Sequence, residues 1–270
     1  MIADLVAARL PGYRVDSVVE IGSGLDNVAY EVNGELIVRI SQEPDPAETS
    51  REARLLAAVA GVVPVPVPQP VFTVAELGCL AYFTLAGVPL LDLPERSARA
   101  AVTLGEVLAA LHRAPAATWA GLAEVDVLPL AEWLAEAAET YASVAGQIPA
   151  PHRAAVEAFL AAPPPPDDGT AVFSHNDLGI EHVLVDPASG AVTGIIDWSD
   201  AALVDPAYDF GLIHRDLGPA ALDAALARYG PDAALRERAV FYARCTLFED
   251  LAYGRAPYVA KSLAALDWLF

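Results

Sequence analysis

The stretch His175-Asn176-Asp177-Leu178-Gly179-Ile180-Glu181-His182, followed by Thr193-Gly194-Ile195-Ile196-Asp197-Trp198, decides how this chain is read. Three short apolar runs surround it, Ala171 to Phe173, Val183 to Asp186 and Val192 to Ile196, and each reads as a strand. One carboxylate, Asp177, therefore falls in a loop between strands. A second, Asp197, ends an apolar strand. A carboxylate at a strand end inside a cleft is costly unless it is paired or binds a metal.

Outward from this motif the chain divides in character. Val15 to Ile21, Asn27 to Val32 and Leu36 to Ile40 read as strands, with Asn33-Gly34 as a hairpin turn. Glu48 to Ala60 has helix composition. Four prolines between Val62 and Val71 make an extended connector, and Val71 to Val74 with Leu80 to Leu85 form a second hairpin. From Ser97 the chain turns helical: Ser97 to His112, Leu130 to Ala145 and His152 to Ala162 come before the motif. Helices resume at Ala207, Pro219, Leu235 and Tyr258. Strands first and helices afterwards predict two unlike lobes, 1–86 and 87–270.

The chain has 270 residues, of which 55% are hydrophobic, enough for proper cores and incompatible with a disordered chain. No apolar run reaches the length of a membrane span, and the first residues lack the form of a secretion signal, so a cytoplasmic location is expected. Cys79 and Cys245 fit no metal spacing and read as buried small hydrophobes. A formal charge of −20 disfavours nucleic acid and anionic membranes as partners and would attract a cationic small molecule.

Protein kinases use H-R-D-L-x-x-x-N for the catalytic loop and a later Asp for magnesium. Here the Asp-to-Asp frame is kept and His182 stands where the metal-binding Asn would be, so the frame suggests phosphoryl transfer. Asp177 is the candidate to orient and deprotonate an attacking hydroxyl. His175 reads as loop support rather than a participant. Asp197 suits Mg2+ bound to nucleotide phosphates, whereas His182 is either a second ligand or a hydrogen-bonding histidine. Gly22-Ser23-Gly24, between two strands, can let backbone amides approach phosphates. Arg39 occupies the strand position of the kinase Lys, with Glu52 as its partner on the following helix. Tyr82 and Thr84 fall in the connection between the lobes, where a nucleotide base would bind. Asp205-Pro206 begins a helix as a cap, and Asp209 can bond back to amides of the catalytic loop. Asp200 is open between a cap, a supporting acid and an exposed residue.

From Val18 to Arg255 the chain resembles the aminoglycoside phosphotransferases. The resemblance is strongest from His175-Asn176-Asp177-Leu178 through Ile195-Ile196-Asp197-Trp198 to Asp205-Pro206-Ala207-Tyr208-Asp209-Phe210. It implies an α+β, protein-kinase-like bilobal fold, with a small β-rich N-terminal lobe and a larger, mainly helical C-terminal lobe. It implies transfer of the γ-phosphate of ATP or GTP to a small-molecule hydroxyl. The branch acting on the 2''-hydroxyl looks closest, because it carries an H-N-D loop and a histidine at the place of His182 as a magnesium ligand. Its N-terminal segment also resembles Ile21 to Glu35. Macrolide phosphotransferases share that histidine. Arg39 departs from the Lys of the 2''-acting branch.

A polycationic acceptor needs carboxylates around it. Asp216, and Glu249-Asp250 on an otherwise apolar helix, are the candidates after the metal motif. Rival acceptors are a macrolide, choline, homoserine or a sugar, and a rival of another class is a nucleotide-binding module without catalysis. A monomer or a homodimer is expected.

Overall fold

A computed structural model of the chain describes residues 1–23, 27–94, 97–167, 169–230 and 232–270, without the side chains of Ser23, Ser97 and Ala98. Helix α1 (Ile2–Arg9) precedes a five-stranded antiparallel sheet built from β1 (Val18–Ser23), β2 (Asn27–Val32), β3 (Leu36–Ser41), β4 (Phe72–Val74) and β5 (Cys79–Phe83), in the order β1-β2-β3-β5-β4. Asn33 and Gly34, both at positive φ, make the turn that joins β2 to β3. Residues 32, 36 and 38 turn inward with Val74, Cys79 and Ala81, and α1 covers them with Ile2 and Val6. That helix was not expected, because its eight residues carry only a weak apolar stripe.

Helix α2 (Pro46–Ala60) starts two residues earlier than its composition suggested. Asp45 caps it by accepting from the amides of Ala47 and Glu48, and Pro46 takes the first position, where no amide is needed. Its buried residues Leu55, Leu56 and Val59 join the core of the helical lobe rather than that of the sheet. Val63 and Val67, in the proline-rich connector, do the same.

The chain then crosses through β6 (Val88–Pro89), which pairs with β8 (Val183–Val185), itself paired with β9 (Val192–Ile195). Gly87 precedes this strand at φ 113, and a Cβ there would meet the Thr193 hydroxyl at 2.3 Å and the Val185 carbonyl oxygen at 2.8 Å. Only glycine fits that crossing. Helices α3 (Ser97–Arg113), α4 (Ala116–Trp119), α5 (Leu130–Val144) and α6 (Ala150–Leu160) follow, then β7 (Val172–Ser174), paired with β10 (Ala202–Val204). Helices α7 (Ala207–Leu217), α8 (Pro219–Tyr229), α9 (Ala233–Tyr253) and α10 (Ala256–Leu269) close the lobe. Trp198, Phe173, Phe210 and Phe248 are its largest fully buried side chains. Among the described residues, no helix is long and apolar enough to cross a membrane.

Candidate active site

Two hydrogen bonds bring the two halves of the motif together: the His175 ring donates from Nε2 to the carbonyl of Ile196 at 3.0 Å, and the Ile196 amide donates to the carbonyl of His182 at 2.9 Å. Within the second half the Trp198 indole donates to the carbonyl of Ile195 at 3.0 Å. His175 is fully buried against Trp198, with ring centroids 4.5 Å apart. Burial, then the neighbouring His182, push its pKa down to about 4 against the opposing Ile196 bond. It is therefore neutral, and a ring that donates from Nε2 keeps no proton on Nδ1. This geometry makes it a strut.

Asp209, in the first turn of α7, accepts from the amides of His175 (2.9 Å), Asn176 (3.3 Å) and Leu178 (3.4 Å). One buried carboxylate thus gathers the loop around Asp177. Asn176 and Asp197 both sit in the left-handed region, at φ 63 and 62. Asn and Asp tolerate that region better than other side chains, and such residues cluster at functional sites. The twist at Asn176 sends its side chain away from the cleft, where its amide nitrogen donates to Asp126 at 3.1 Å. Asp177 faces the other way, into the cleft.

There the carboxylate of Asp177 lies 3.1 Å from Nε2 of His182, whose Nδ1 is 3.9 Å from the Asp197 carboxylate. Burial opposes a charge on His182, but the hydrogen bond and charge of Asp177, with Asp197 and Glu181 behind, outweigh it and raise the pKa. Burial would likewise raise Asp177, and His182 overcomes it, so that carboxylate is lowered and ionised. Asp197 also accepts from the Ser199 hydroxyl at 2.8 Å. Asp197 offers carboxylate oxygens of the kind a hard divalent ion takes, with His182 Nδ1 beside it as a nitrogen donor, although among the described residues no group of three or more such side chains is drawn together.

The cleft above these groups encloses about 680 Å³. Gly22, Asn27, Arg39, Glu52 and Tyr82 line it from the sheet lobe, and Asp177, Asp197 and Asp200 from the helical lobe. Arg39, on β3, pairs with Glu52, on α2, and both side chains are largely buried. Gly24 lies outside the described residues, as does the Ser23 side chain. Thr84 is exposed and is not part of the cleft lining; its amide donates to the carbonyl of Glu35 at 2.8 Å.

A sequence profile of the phosphotransferase enzyme family matches residues 17–242. The chain belongs to that family. Among solved structures, the GDP and kanamycin complex of APH(2'')-IIIa is similar over 98% of this chain and 97% of that one, at 22% identity and a TM-score of 0.70. A macrolide 2'-phosphotransferase, MphH from Brachybacterium faecium, is similar over 98% and 97%, at 28% identity and a TM-score of 0.65. An aminoglycoside 3'-phosphotransferase of Streptomyces fradiae is 34% identical over 85 residues, which is 28% of this chain and 32% of that protein.

Two of the expected acceptor contacts, Asp216 and Asp250, lie among internal cations. Asp216 is buried and bound from all sides: Arg215 donates to it at 2.7 and 3.2 Å, Lys261 at 3.0 Å and the Ile180 amide at 3.3 Å. Burial alone would raise its pKa, but Arg215 and Lys261 hold it well below the carboxylate range. Asp250 is buried too, 3.2 Å from Lys261 and 3.5 Å from Arg215. Both carboxylates already have internal cations. Glu249 differs: its residue surface is open. Surrounding protein, together with Asp250, Glu136 and Asp177, still pushes its pKa up to about 7 against Arg215. Asp205 is also more than a cap. It accepts from the Ala207 amide at 2.9 Å and forms a buried pair with Arg238 at 2.7 Å.

Sequence reasoning missed Lys261, Arg215 and Asp126. The signal for Lys261 was present: it is the only lysine in the chain, and it stands on an apolar helix.

Proposed function

We propose that the protein transfers the γ-phosphate of ATP or GTP to a hydroxyl of a small molecule, an aminoglycoside by preference. The observation that carries this reading is the meeting of Asp177, His182 and Asp197 beneath Arg39 and Glu52 in one cleft. Asp177 accepts the hydroxyl proton and aims the oxygen. Arg39, oriented by Glu52, takes nucleotide phosphate charge, and Gly22 leaves room for the phosphates. His182 and Asp197 would hold Mg2+, which supplies neutralisation of the charge on the transferring phosphoryl group. Tyr82 offers a wall for the nucleotide base.

A relative solved with GDP and kanamycin supports both the donor and the acceptor class. Glu249 supports a cationic acceptor. A second reading, a macrolide, is favoured by two observations: Asp216 and Asp250 are neutralised from within, and a macrolide phosphotransferase is among the similar structures. The charge of −20 supports neither nucleic acid nor an anionic membrane as a partner. Two buried free thiols suit the cytoplasm, with the protein a monomer or a homodimer.

The test is turnover with ATP and GTP against kanamycin, gentamicin, a macrolide and choline. Phosphate transfer to an aminoglycoside is expected, and it should be abolished by Asp177→Ala while nucleotide still binds. Near-normal turnover in that variant would sink the mechanism. Transfer to the macrolide alone would replace the acceptor.

A further inference from the structure

The lone lysine of the chain stands where α10 meets the catalytic loop. The Nζ of Lys261 lies 3.2 Å from Glu181, 3.0 Å from Asp216 and 3.2 Å from Asp250, with its side chain almost fully buried. Arg215 serves Asp216 and Asp250 as well, at 2.7 and 3.5 Å. Glu181 differs from those two acids: among the described residues its ion-pair partner is Lys261 alone. The Glu181 carboxylate is folded over Gly179, where a Cβ would meet its Cδ and both oxygens at 2.7 Å. Beneath it the turn closes, the His182 amide donating to the Gly179 carbonyl at 3.0 Å. Lys261 reaches the same turn a second time through Asp216, which accepts from the Ile180 amide at 3.3 Å. Asp177 begins this turn and His182 ends it, and the two side chains meet at 3.1 Å in the cleft.

We propose that Lys261 is a positioning residue for phosphoryl transfer: by holding Glu181 over Gly179 it fixes the turn that sets Asp177 against His182. The inference rests on the phosphotransferase reading above. Net stability is a poor reason for such a cluster, because a buried ion pair gains little over an apolar replacement; its best-attested use is to select one geometry. Here one ammonium on α10 joins acids of the catalytic loop, α7 and α9. Transfer depends on the aim of Asp177, and a misplacement of about 1 Å costs on the order of 100-fold in rate. Gly22, Arg39 and Tyr82 line the cleft from the sheet lobe, away from this turn, so the strut acts on turnover and not on nucleotide binding.

The experiment compares Lys261→Met, Glu181→Ala and the double variant, with Lys261→Arg as the charge-keeping form. ATP and kanamycin are the substrates, a macrolide standing in if kanamycin is not turned over. Rates are normalised to folded protein, and backbone hydrogen exchange is followed without nucleotide or metal. Each of Lys261→Met and Glu181→Ala should lower kcat about 10- to 100-fold at unchanged ATP KM, and Lys261→Arg should restore most of the loss. The double variant should be no slower than Lys261→Met, because the two residues act as one unit. The His182 amide should exchange faster in both single variants, relative to the amides of α3 in the same lobe. Should Lys261→Met fail to fold, Glu181→Ala decides alone, since it leaves Lys261 paired with Asp216 and Asp250. Wild-type kcat in Glu181→Ala, or losses that multiply in the double variant, overturns the proposal. If wild type transfers phosphate to no acceptor while the His182 amide responds as described, the phosphotransferase reading falls and the strut stands. No transfer and unchanged exchange sink both.

Discussion

Lys261→Met removes the one ammonium at the junction of α10 with the catalytic loop. Lys261 Nζ lies 3.2 Å from Glu181, 3.0 Å from Asp216 and 3.2 Å from Asp250, with its side chain 8% exposed. Methionine keeps the methylene stem and removes only the charge and donors, so the packing loss is small. Three carboxylates then share Arg215 alone, and Arg215 reaches Asp216 and Asp250 but shows no bond to Glu181. Breaking a buried pair by removing one partner costs about 3–5 kcal/mol. Because Arg215 still serves two of the acids, the low end applies, about 3 kcal/mol. For a chain of this size that is a fall in Tm of roughly 6–12 °C. The pH dependence has a definite sign. The Asp216 pKa is depressed in the fold, so its contribution is fully present above the ordinary carboxylate pKa and lost as pH falls through the folded value. The deficit of the variant is therefore full from neutrality down to about pH 4 and narrows between there and about pH 2. Chemical denaturation at several pH values measures it, with Lys261→Arg as the charge-keeping control. A variant within about 1 kcal/mol of wild type at pH 7, or a deficit that does not shrink as pH falls below about 4, would refute the reasoning.

The other expectations concern the cleft and its packing. Asp177→Ala should lower kcat by about 10²–10⁴ with little change in nucleotide affinity, read by steady-state kinetics and nucleotide titration. Arg39→Ala should raise the nucleotide KM about tenfold or more, because it removes a phosphate donor and strands Glu52; Arg39→Lys should recover part of this. Gly211→Ala should cost about 1–3 kcal/mol in a denaturant titration, because a Cβ there meets the Ala239 carbonyl oxygen at 2.9 Å and the Tyr242 Cβ at 2.8 Å where α7 crosses α9. Glu249, with its pKa pushed up to about 7, is largely neutral at pH 6 and ionised at pH 8. Acceptor KM should therefore fall roughly two- to fivefold over that range, and Glu249→Gln should remove the trend. A KM that is flat with pH in the unmutated protein would exclude Glu249 from acceptor binding.

Much of this protein could be read from its residues. Most of the longer strands and helices, though not α1, α4, β6 or β10, followed from period and punctuation, and the Asp-to-Asp frame with Gly22, Arg39 and Glu52 in order pointed to the fold and to the family, because each of those signals is local in sequence. What the sequence could not supply was the state of each carboxylate. Asp216 and Glu249 are both acids in helices after the motif, and nothing local separates them. The fold does: α10 returns to place Lys261 against Asp216 and Asp250, while Glu249, next to Asp250 in the chain, keeps an open surface. The same holds for Asn176, whose left-handed backbone turns it towards Asp126 and gives the catalytic loop a second face. Residue types and their order along the chain decided the architecture and the kind of chemistry. Which charges are free to meet a ligand was decided only by tertiary structure, because the state of an ionisable group depends on the groups that packing brings within a few ångströms of it.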